Sequence, residues 1–301
     1  MTMSRRFVTL DVFTRNPLAG NPLAVVLDAD GLDGEAMQRV AREFNLSETV
    51  FVFPPADKAN RAKLRIFTPA RELPFAGHPT VGTAVLLARL DGGAAERTFV
   101  LEEKVGLVPC RVKSSGADSG RAAFDIPRLP ERQADLPDLA AIAAGLGLKA
   151  ADMGLDGFAA ARWSAGNPFT FVPVRGLDAI GRIRLDLARF GQAFGGADHA
   201  AAFIFCRETV EAGNSFHARM FAPVMGVHED PATGSAVAAF AGYLAAAGGY
   251  PDGAHVIGIE QGYEMGRASQ IELTLKISGG KLTGASIAGS AVVVMEGTLE
   301  A

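Results

Sequence analysis

Three titratable side chains in this sequence have the types that enzymatic proton transfer requires: Glu48, His78 and Asp230. A carboxylate can remove a proton from carbon and return it, while an imidazole or a second carboxylate can hydrogen-bond the heteroatoms of a substrate. The three residues lie far apart in the chain. Any shared chemistry therefore depends on the structural elements that position them.

Two of the three residues stand at matching places in an internal repeat. The run Arg-Ile-Phe-Thr-Pro at 65–69 returns about half a chain later as Arg-Met-Phe-Ala-Pro at 219–223. After a loop, the first copy continues from His78 as His-Pro-Thr-Val-Gly-Thr-Ala, and the second continues from Asp230 as Asp-Pro-Ala-Thr-Gly-Ser-Ala. The chain is therefore predicted to contain two copies of one structural unit.

Both repeated motifs are predicted to begin helices. Proline is tolerated in the first helical turn, and the residue before it is disfavoured in helical conformation, so His78 and Asp230 are predicted to be the N-caps. The unpaired N–H groups and the macrodipole of a helix N-terminus attract anions. One such end alone is typical of an ordinary capped helix. Two matching ends that exchange His for Asp indicate a shared polar site.

Glu48 marks a place where the repeat breaks. The strand predicted at 50–53 corresponds to the one at 203–206, and the residues before the latter are the alanines at 200–202. A carboxylate in one copy opposite alanine in the other predicts that this copy has specialised for proton transfer. A base that works near neutral pH needs a raised pKa, so Glu48 is expected in a largely dry cleft. The alternative is an exposed Glu at a helix-to-strand turn.

Composition excludes several classes of function. The chain has 301 residues, 49% of them hydrophobic, and a formal net charge of −4 with scattered Lys and Arg, so no nucleic-acid partner is expected. Neither a signal peptide nor a membrane segment is evident. Cys110 and Cys206 lie in separate strand-like runs, which is typical of reduced thiols in a cytoplasmic protein. No metal-ligand cluster or nucleotide-binding loop is evident, so no cofactor is expected.

The predicted elements indicate an α+β protein, because strands outnumber helices in each half and their connections are too short for regular β-α-β crossovers. Mixed sheets around one buried helix per half fit this pattern. A helix capped by Asp33 is predicted to end near Asn45, and further helices are predicted at 136–148 and 185–194. Strands at 282–287 and 291–296 are predicted to be separated by a Gly-Ser turn.

Four motifs together resemble the phenazine-biosynthesis PhzF-like family, whose members are relatives of diaminopimelate epimerase. They are NLSETVFVF at 45–53, TPARELPFAGHPTVGTA at 68–84, EDPATGSA at 229–236 and EQGYEMGRAS at 260–269. The resemblance covers essentially the whole chain. It implies two pseudo-symmetric domains, each a mostly antiparallel barrel-like sheet around a central helix, with the site in the cleft between them. It also implies a homodimeric, cofactor-independent isomerase.

The resemblance assigns roles to particular residues and places the domain boundaries. It implies that Glu48 is the acid/base and that His78 and Asp230 line the same pocket. Residues implied to contact the substrate are Ser47, Gly77, Gly234 and Ser235. The duplicated unit leaves a surplus C-terminal strand, which the resemblance returns to the first domain, so the domains are predicted as 1–128 plus 288–301 and 129–287.

Three functions remain open at this point. The first is isomerisation of a small carboxylated metabolite by proton transfer through Glu48. The second is racemisation or epimerisation of a small amino or hydroxy acid, which requires two opposed acid/base groups. Epimerase relatives carry a cysteine in each helix-start motif, and this sequence has none there, which counts against a two-thiolate mechanism. The third is non-catalytic binding of a small anion, which would not need Glu48.

Overall fold

A computed structural model describes residues 3–93, 95–133, 138–194 and 201–301. The chain divides into two compact units. Unit 1 comprises Met1–Pro127 and Ala288–Ala301, and unit 2 comprises Arg128–Ile287. No helix in the described ranges is long and apolar enough to cross a membrane.

Both units are built mainly of strands, with short 3-10 turns at Ala150–Asp152, Pro223–Met225 and Tyr263–Met265. The helices are α1 (Gly34–Phe44), α2 (Gly77–Leu90), α3 (Leu139–Leu146), α4 (Leu177–Gly181), α5 (Leu187–Phe194) and α6 (Gly234–Ala247). The strands are β1 (Ser4–Val12), β2 (Asn21–Val26), β3 (Glu48–Phe53), β4 (Ala62–Phe67), β5 (Glu72–Leu73), β6 (Arg97–Glu103), β7 (Gly106–Ser114), β8 (Ser119–Asp125), β9 (Glu131–Gln133), β10 (Ala161–Ser164), β11 (Pro168–Pro173), β12 (Ala202–Cys206), β13 (Phe216–Ala222), β14 (Val227–Asp230), β15 (Gly253–Gln261), β16 (Ser269–Ser278) and β17 (Lys281–Glu300).

The sheet of unit 1 closes into a ring around one helix. Its strands pair in the order β17, β1, β2, β3, β4, β6, β7 and β8, and β8 pairs with β17 again. Helix α2 is buried from Gly77 to Ala88 because its small and apolar residues leave no charged face within this span. A Cβ at Gly82 would lie 2.7 Å from the side chains of Val12 and Leu23, so glycine permits the close contact between α2 and the strands.

Unit 2 repeats this plan with an aromatic core. Strands β9 to β16 form its sheet. Strand β11 runs parallel to β12, and β13 runs parallel to β15. Helix α6 is buried along most of its length, and its Phe240 lies 5.0 Å from Phe205 between ring centroids. The predicted α+β fold class, with a mostly antiparallel barrel-like sheet around a central helix in each unit, is confirmed.

The outer helices follow local signals in the sequence. The Asp33 side chain accepts a hydrogen bond from the Ala36 N–H at 2.8 Å, and Asn45 ends α1 in left-handed conformation, both as predicted. Helix α3 is capped by Asp138, while residues 136 and 137 of the predicted helix lie outside the described ranges. Helix α5 begins at Leu187, two residues after its predicted start.

The prediction of two final strands separated by a turn is wrong, because β17 continues through Gly289 and Ser290. The physical reason is the close approach of Phe13 to Gly289 and Ser290. A Cβ at Gly289 would lie 2.2 Å from Cδ1 of Phe13, and the Ser290 carbonyl accepts the N–H of Phe13 at 2.7 Å. The glycine therefore makes room for an aromatic ring rather than reversing the chain. The unit boundary falls inside this strand, whose residues 291–300 pair with β1.

Candidate functional site

Glu48 is the first residue of β3 in unit 1. Its position follows from the left-handed end of α1 at Asn45, after which two residues lead into the strand, where Glu48 pairs with Leu23. The neighbouring Ser47 is half-buried. The side chain of Glu48 is 16% exposed, so it lies in a largely desolvated environment while part of it still reaches the surface.

The repeat can be followed at this point through the strand register. The tetrapeptide Ala-Gly-Asn-Pro leads into both β2 and β11. In unit 1, Thr49 of β3 pairs with Ala24 of β2, and in unit 2, Ala202 of β12 pairs with Thr170 of β11. Ala201 therefore occupies the position that corresponds to Glu48, while Ala200 lies outside the described residues. The second unit places a methyl group where the first places a carboxyl.

His78 brings the second predicted side chain to Glu48. Its Nε2 lies 3.4 Å from Oε2 of Glu48, and the imidazole is only 4% exposed. Burial lowers the pKa of His78 to about 3, so the ring is neutral at physiological pH and its contact with the carboxyl is not an ion pair. Unit 1 thus sets a carboxyl beside a neutral imidazole, which can donate or accept one hydrogen bond without changing charge.

The prediction that His78 is the N-cap is wrong. Helix α2 begins at Gly77, its N-cap is Ala76, and His78 and Pro79 are its second and third residues. Proline fits there because N–H groups throughout the first turn lack intrahelical acceptors. The first intrahelical bond runs from the Thr80 N–H to the Ala76 carbonyl at 3.2 Å. His78 therefore projects from within the first turn rather than from the residue before it.

Asp230 is also not an N-cap, because α6 begins at Gly234 and Thr233 is its N-cap. Asp230 ends β14, opposite Met220, and is 6% exposed. Its Oδ2 accepts a hydrogen bond from the Thr233 hydroxyl at 2.5 Å. The intervening residues form a bend, so that the predicted site residues Gly234 and Ser235 become the first two helical positions.

The structure therefore brings the predicted residues together in two groups. Unit 1 holds Glu48 and His78 in contact, with Ser47 and Gly77 as their chain neighbours. Unit 2 holds Asp230 at the turn that leads into Gly234 and Ser235. That these two groups share one substrate stays a prediction.

Unit 2 contains a buried amide that the sequence reasoning did not assign. Gln261, fully buried at the end of β15, accepts the Thr233 N–H at 3.1 Å and donates from Nε2 to the Asp230 carbonyl at 2.6 Å and to Thr233 Oγ1 at 3.0 Å. These bonds fix the turn between Asp230 and α6. An amide ending an apolar strand within the EQGYEMGRAS motif is the signal that could have indicated it.

Unit 1 has a buried acid at the corresponding place. Glu103, at the end of β6, is 8% exposed, and its Oε1 lies 2.7 Å from Oγ1 of Thr80 in the first turn of α2. Burial raises the pKa of Glu103 to about 8, although the contact with Thr80 acts in the opposite direction. The run Glu-Glu-Lys from Glu102 resembles an exposed charged strand end, so the sequence offered no signal for a buried acid.

Unit 2 also contains a charged cluster, which surrounds His217. Its Nδ1 lies 2.7 Å from Glu260 and its Nε2 lies 3.0 Å from Glu264, with the ring 1% exposed. Burial alone would lower the pKa of His217, but the hydrogen bonds and charges of Glu260 and Glu264 outweigh it and raise the pKa to about 9. His217 is therefore a buried cation at neutral pH, in contrast to the neutral His78.

Two helix-centred barrel-like units built on one repeated plan define a protein of the diaminopimelate epimerase-like fold class. Within that class, the chain belongs to the phenazine biosynthesis-like PhzC-PhzF family, whose model matches residues 10–297.

Relatives agree with this assignment over nearly their whole length. An uncharacterised isomerase of Mesorhizobium japonicum is 49% identical over 98% of this chain and 99% of its own. The trans-2,3-dihydro-3-hydroxyanthranilate isomerase of Pseudomonas aeruginosa is 35% identical over 97% and 98%. The crystal structure of a PhzF-family phenazine biosynthesis protein from Bacillus anthracis matches with a TM-score of 0.88 and 28% identity, covering 99% of each chain. The protein is therefore an isomerase of a small metabolite.

Proposed function

We propose that this protein isomerises a small carboxylated metabolite by cofactor-independent proton transfer, with Glu48 as the group that carries the proton. The observation that supports this most directly is the 3.4 Å contact between the Glu48 carboxyl and the buried His78 imidazole. A carboxyl in largely desolvated surroundings can remove a proton from carbon and return it to another carbon of the same substrate.

His78 has a complementary role in this mechanism. Because its pKa is lowered to about 3, the neutral ring is a weak base and would not compete with Glu48 for the substrate proton. Instead it can hydrogen-bond a substrate heteroatom and stabilise the charge that develops there when the proton leaves. One proton carrier with one neutral hydrogen-bonding partner fits isomerisation better than racemisation, which requires two opposed bases.

The remaining predicted residues would bind the substrate. The first turns of α2 and α6 contain Gly77, Gly234 and Ser235, and their N–H groups can hold a carboxylate at the positive ends of the helix macrodipoles. We propose that Ser47 and Asp230 complete this binding site. We further propose that the enzyme acts as a homodimer in the cytoplasm.

The relative from P. aeruginosa indicates the class of substrate to test first. Its name specifies trans-2,3-dihydro-3-hydroxyanthranilate, a small cyclic amino acid with a ring hydroxyl and a carboxylate. We propose that the substrate of this chain shares the carboxylate and a carbon-bound proton beside a conjugated system. These are the features that a helix-end anion site and a proton-carrying carboxyl can use.

The experiment is a turnover assay by NMR with trans-2,3-dihydro-3-hydroxyanthranilate and a panel of small unsaturated carboxylates. The protein is first treated with a chelator and dialysed. We expect an isomer of unchanged mass to form at the same rate before and after this treatment. Activity that returned only on addition of a metal, nucleotide or pyridoxal phosphate would overturn the cofactor-independent mechanism.

A further inference from the structure

The duplication extends to the C-terminal ends of β6 and β15. In unit 1, β4 runs parallel to β6 with Lys63 opposite Glu102, and in unit 2, β13 runs parallel to β15 with His217 opposite Glu260. The repeat that aligns Arg65 with Arg219 also aligns these two pairs. In each unit the strand then ends one residue later, at Glu103 or at Gln261.

The next-to-last residues of β6 and β15, Glu102 and Glu260, make the same contacts. Glu102 accepts hydrogen bonds from the N–H groups of residues 56 and 57 at 2.8 and 2.9 Å and from Nδ2 of Asn60 at 2.8 Å. Glu260 accepts from the N–H groups of residues 210 and 211 at 2.5 and 3.0 Å and from Nδ2 of Asn214 at 2.8 Å. The shared spacing of these donors establishes that the two strand ends are structurally equivalent.

The last residues of β6 and β15, Glu103 and Gln261, each contact the segment that leads from a predicted site residue into a helix. Glu103 contacts Thr80, two residues after His78, and Gln261 contacts Thr233, three residues after Asp230. The position that unit 2 fills with a neutral amide, unit 1 fills with a carboxyl. A protonated carboxyl is the closest acidic counterpart of an amide, since it has one donor and one acceptor.

We propose that Glu103 and Gln261 are equivalent positioning residues, and that Glu103 performs this role as a neutral carboxylic acid. The Thr80 hydroxyl has a single proton and lies 2.8 Å from the Ala76 carbonyl, which can only accept. If that proton goes to Ala76, the short contact between Thr80 and Glu103 requires Glu103 to donate. The chain from Glu103 through Thr80 to Ala76 then fixes the turn from which His78 projects.

Among the residues that the structure describes, no cation forms an ion pair with the Glu103 carboxyl. The other charged groups that line its cleft are three acids and three cations, namely Asp57, Glu72, Glu102, Lys63, Arg65 and Lys104. Arg65 is engaged by Glu72 through two hydrogen bonds of 2.7 and 2.9 Å. Burial raises the pKa of the Cys110 thiol on β7, and the charge of Glu103 raises it further. Burial is the largest influence on the pKa of Glu103 itself, which it raises to about 8.

This inference deepens the proposed function and rests on it for the catalytic readout, so the test begins with measurements that need no substrate. The folded protein retains a proton on Glu103 between about pH 4.5 and pH 8 that the unfolded chain has released, so wild-type stability is expected to fall across this window. In Glu103→Gln this contribution is absent. The difference in melting temperature between Glu103→Gln and wild type should therefore shift in favour of the variant as the pH rises from 5 to 8.

A second measurement follows the side chains directly by NMR. The Glu103 carboxyl carbon, assigned by its loss in Glu103→Gln, is expected to titrate near pH 8. The His78 imidazole signals should be unchanged in Glu103→Gln and shifted in Glu103→Leu, which has no polar atoms. A Glu103 carboxyl that titrates near pH 4.5 would overturn the proposal, and so would His78 signals that are unaffected in both variants.

Turnover supplies the catalytic readout. At pH 7, Glu103→Gln is expected to keep most of the wild-type kcat and to lose any decline in kcat near pH 8. Glu103→Leu should lower kcat about tenfold or more with a smaller change in KM, since misplaced catalytic groups lose rate. If no tested metabolite reacts, the proposed function fails while the NMR and melting measurements still decide the state of Glu103. If Glu103→Leu does not fold, Glu103→Gln alone tests the neutral acid.

Discussion

Nε2 of His78 lies 3.4 Å from Oε2 of Glu48, and burial of the imidazole keeps it neutral beside the carboxyl. The pair combines a group able to carry a proton with a group able to hydrogen-bond without taking one. Two separate local features set its geometry. The left-handed end of α1 positions Glu48 at the start of β3, and the first turn of α2 positions His78.

The neutrality of His78 predicts the pH dependence of the enzyme. Since its pKa is about 3, His78 stays neutral from pH 5 to pH 9 and should produce no limb in a plot of kcat/KM against pH. His78→Asn keeps a neutral hydrogen-bonding side chain and is expected to lower kcat by about 10 to 100-fold without changing the shape of this profile. A wild-type limb between pH 6 and 7 that disappears in His78→Asn would contradict the neutral assignment.

The buried cation His217 predicts a different effect, on stability. Its folded-state pKa of about 9 exceeds the unfolded value of 6.5, so its contribution is complete below pH 6.5 and is lost as the pH rises to 9. His217→Gln removes the positive partner of Glu260 and leaves Glu264 only its 3.9 Å contact with Arg219. The variant should therefore lower the free energy of unfolding by about 3 kcal/mol at pH 6. Urea denaturation at pH 6 and pH 9 measures both effects.

The matched control for His217 is His228→Gln, because His228 is exposed. This exchange of surface polar groups is expected to change stability by less than about 0.5 kcal/mol. Equal losses in the two variants, or a loss in His217→Gln that is as large at pH 9 as at pH 6, would show that the ion cluster does not provide the stability.

The contact between Gly289 and Phe13 predicts a steric effect within one strand. A methyl group at Gly289 would overlap the Phe13 ring, so Gly289→Ala should destabilise unit 1 by about 1–3 kcal/mol through overpacking. The control is Gly284→Ala in the same strand, where the nearest atom is the flexible Lys276 side chain at 3.3 Å. If Gly289→Ala were as stable in urea as Gly284→Ala, the ring could move aside and the close packing would not require glycine.

The overall architecture could be predicted because the sequence carries its signals locally and twice. The repeated run at 65–69 and 219–223 became the equivalent strands β4 and β13, and Asp33 and Asn45 marked the two ends of α1. The fold class followed from the scarcity of helical segments long enough to connect parallel strands.

Other features depended on contacts between distant residues and could not be predicted from local patterns. Gly289 and Ser290 have the composition of a turn, but the approach of Phe13 determines their conformation. Asp230 precedes a proline as an N-cap would, yet Gln261, in another strand, holds Thr233 in that role. Nothing near Glu103 in the sequence indicated that a neighbouring helix would bury its carboxyl.

The central claim is that Glu48 carries the proton, and Glu48→Gln tests it with almost no change in shape. The variant is expected to bind substrate with similar affinity and to lower turnover by about two to four orders of magnitude, the usual contribution of acid/base catalysis. A melting curve equal to that of the wild type would establish that its fold is intact.

The most direct measurement follows deuterium from D2O into the carbon skeleton of the substrate by NMR, with wild type and Glu48→Gln at equal concentration. The proposed mechanism predicts that wild type incorporates deuterium during turnover and that Glu48→Gln shows a loss of incorporation matching its loss of turnover. Incorporation by Glu48→Gln at the wild-type rate would contradict the mechanism and remove Glu48 from the proton transfer.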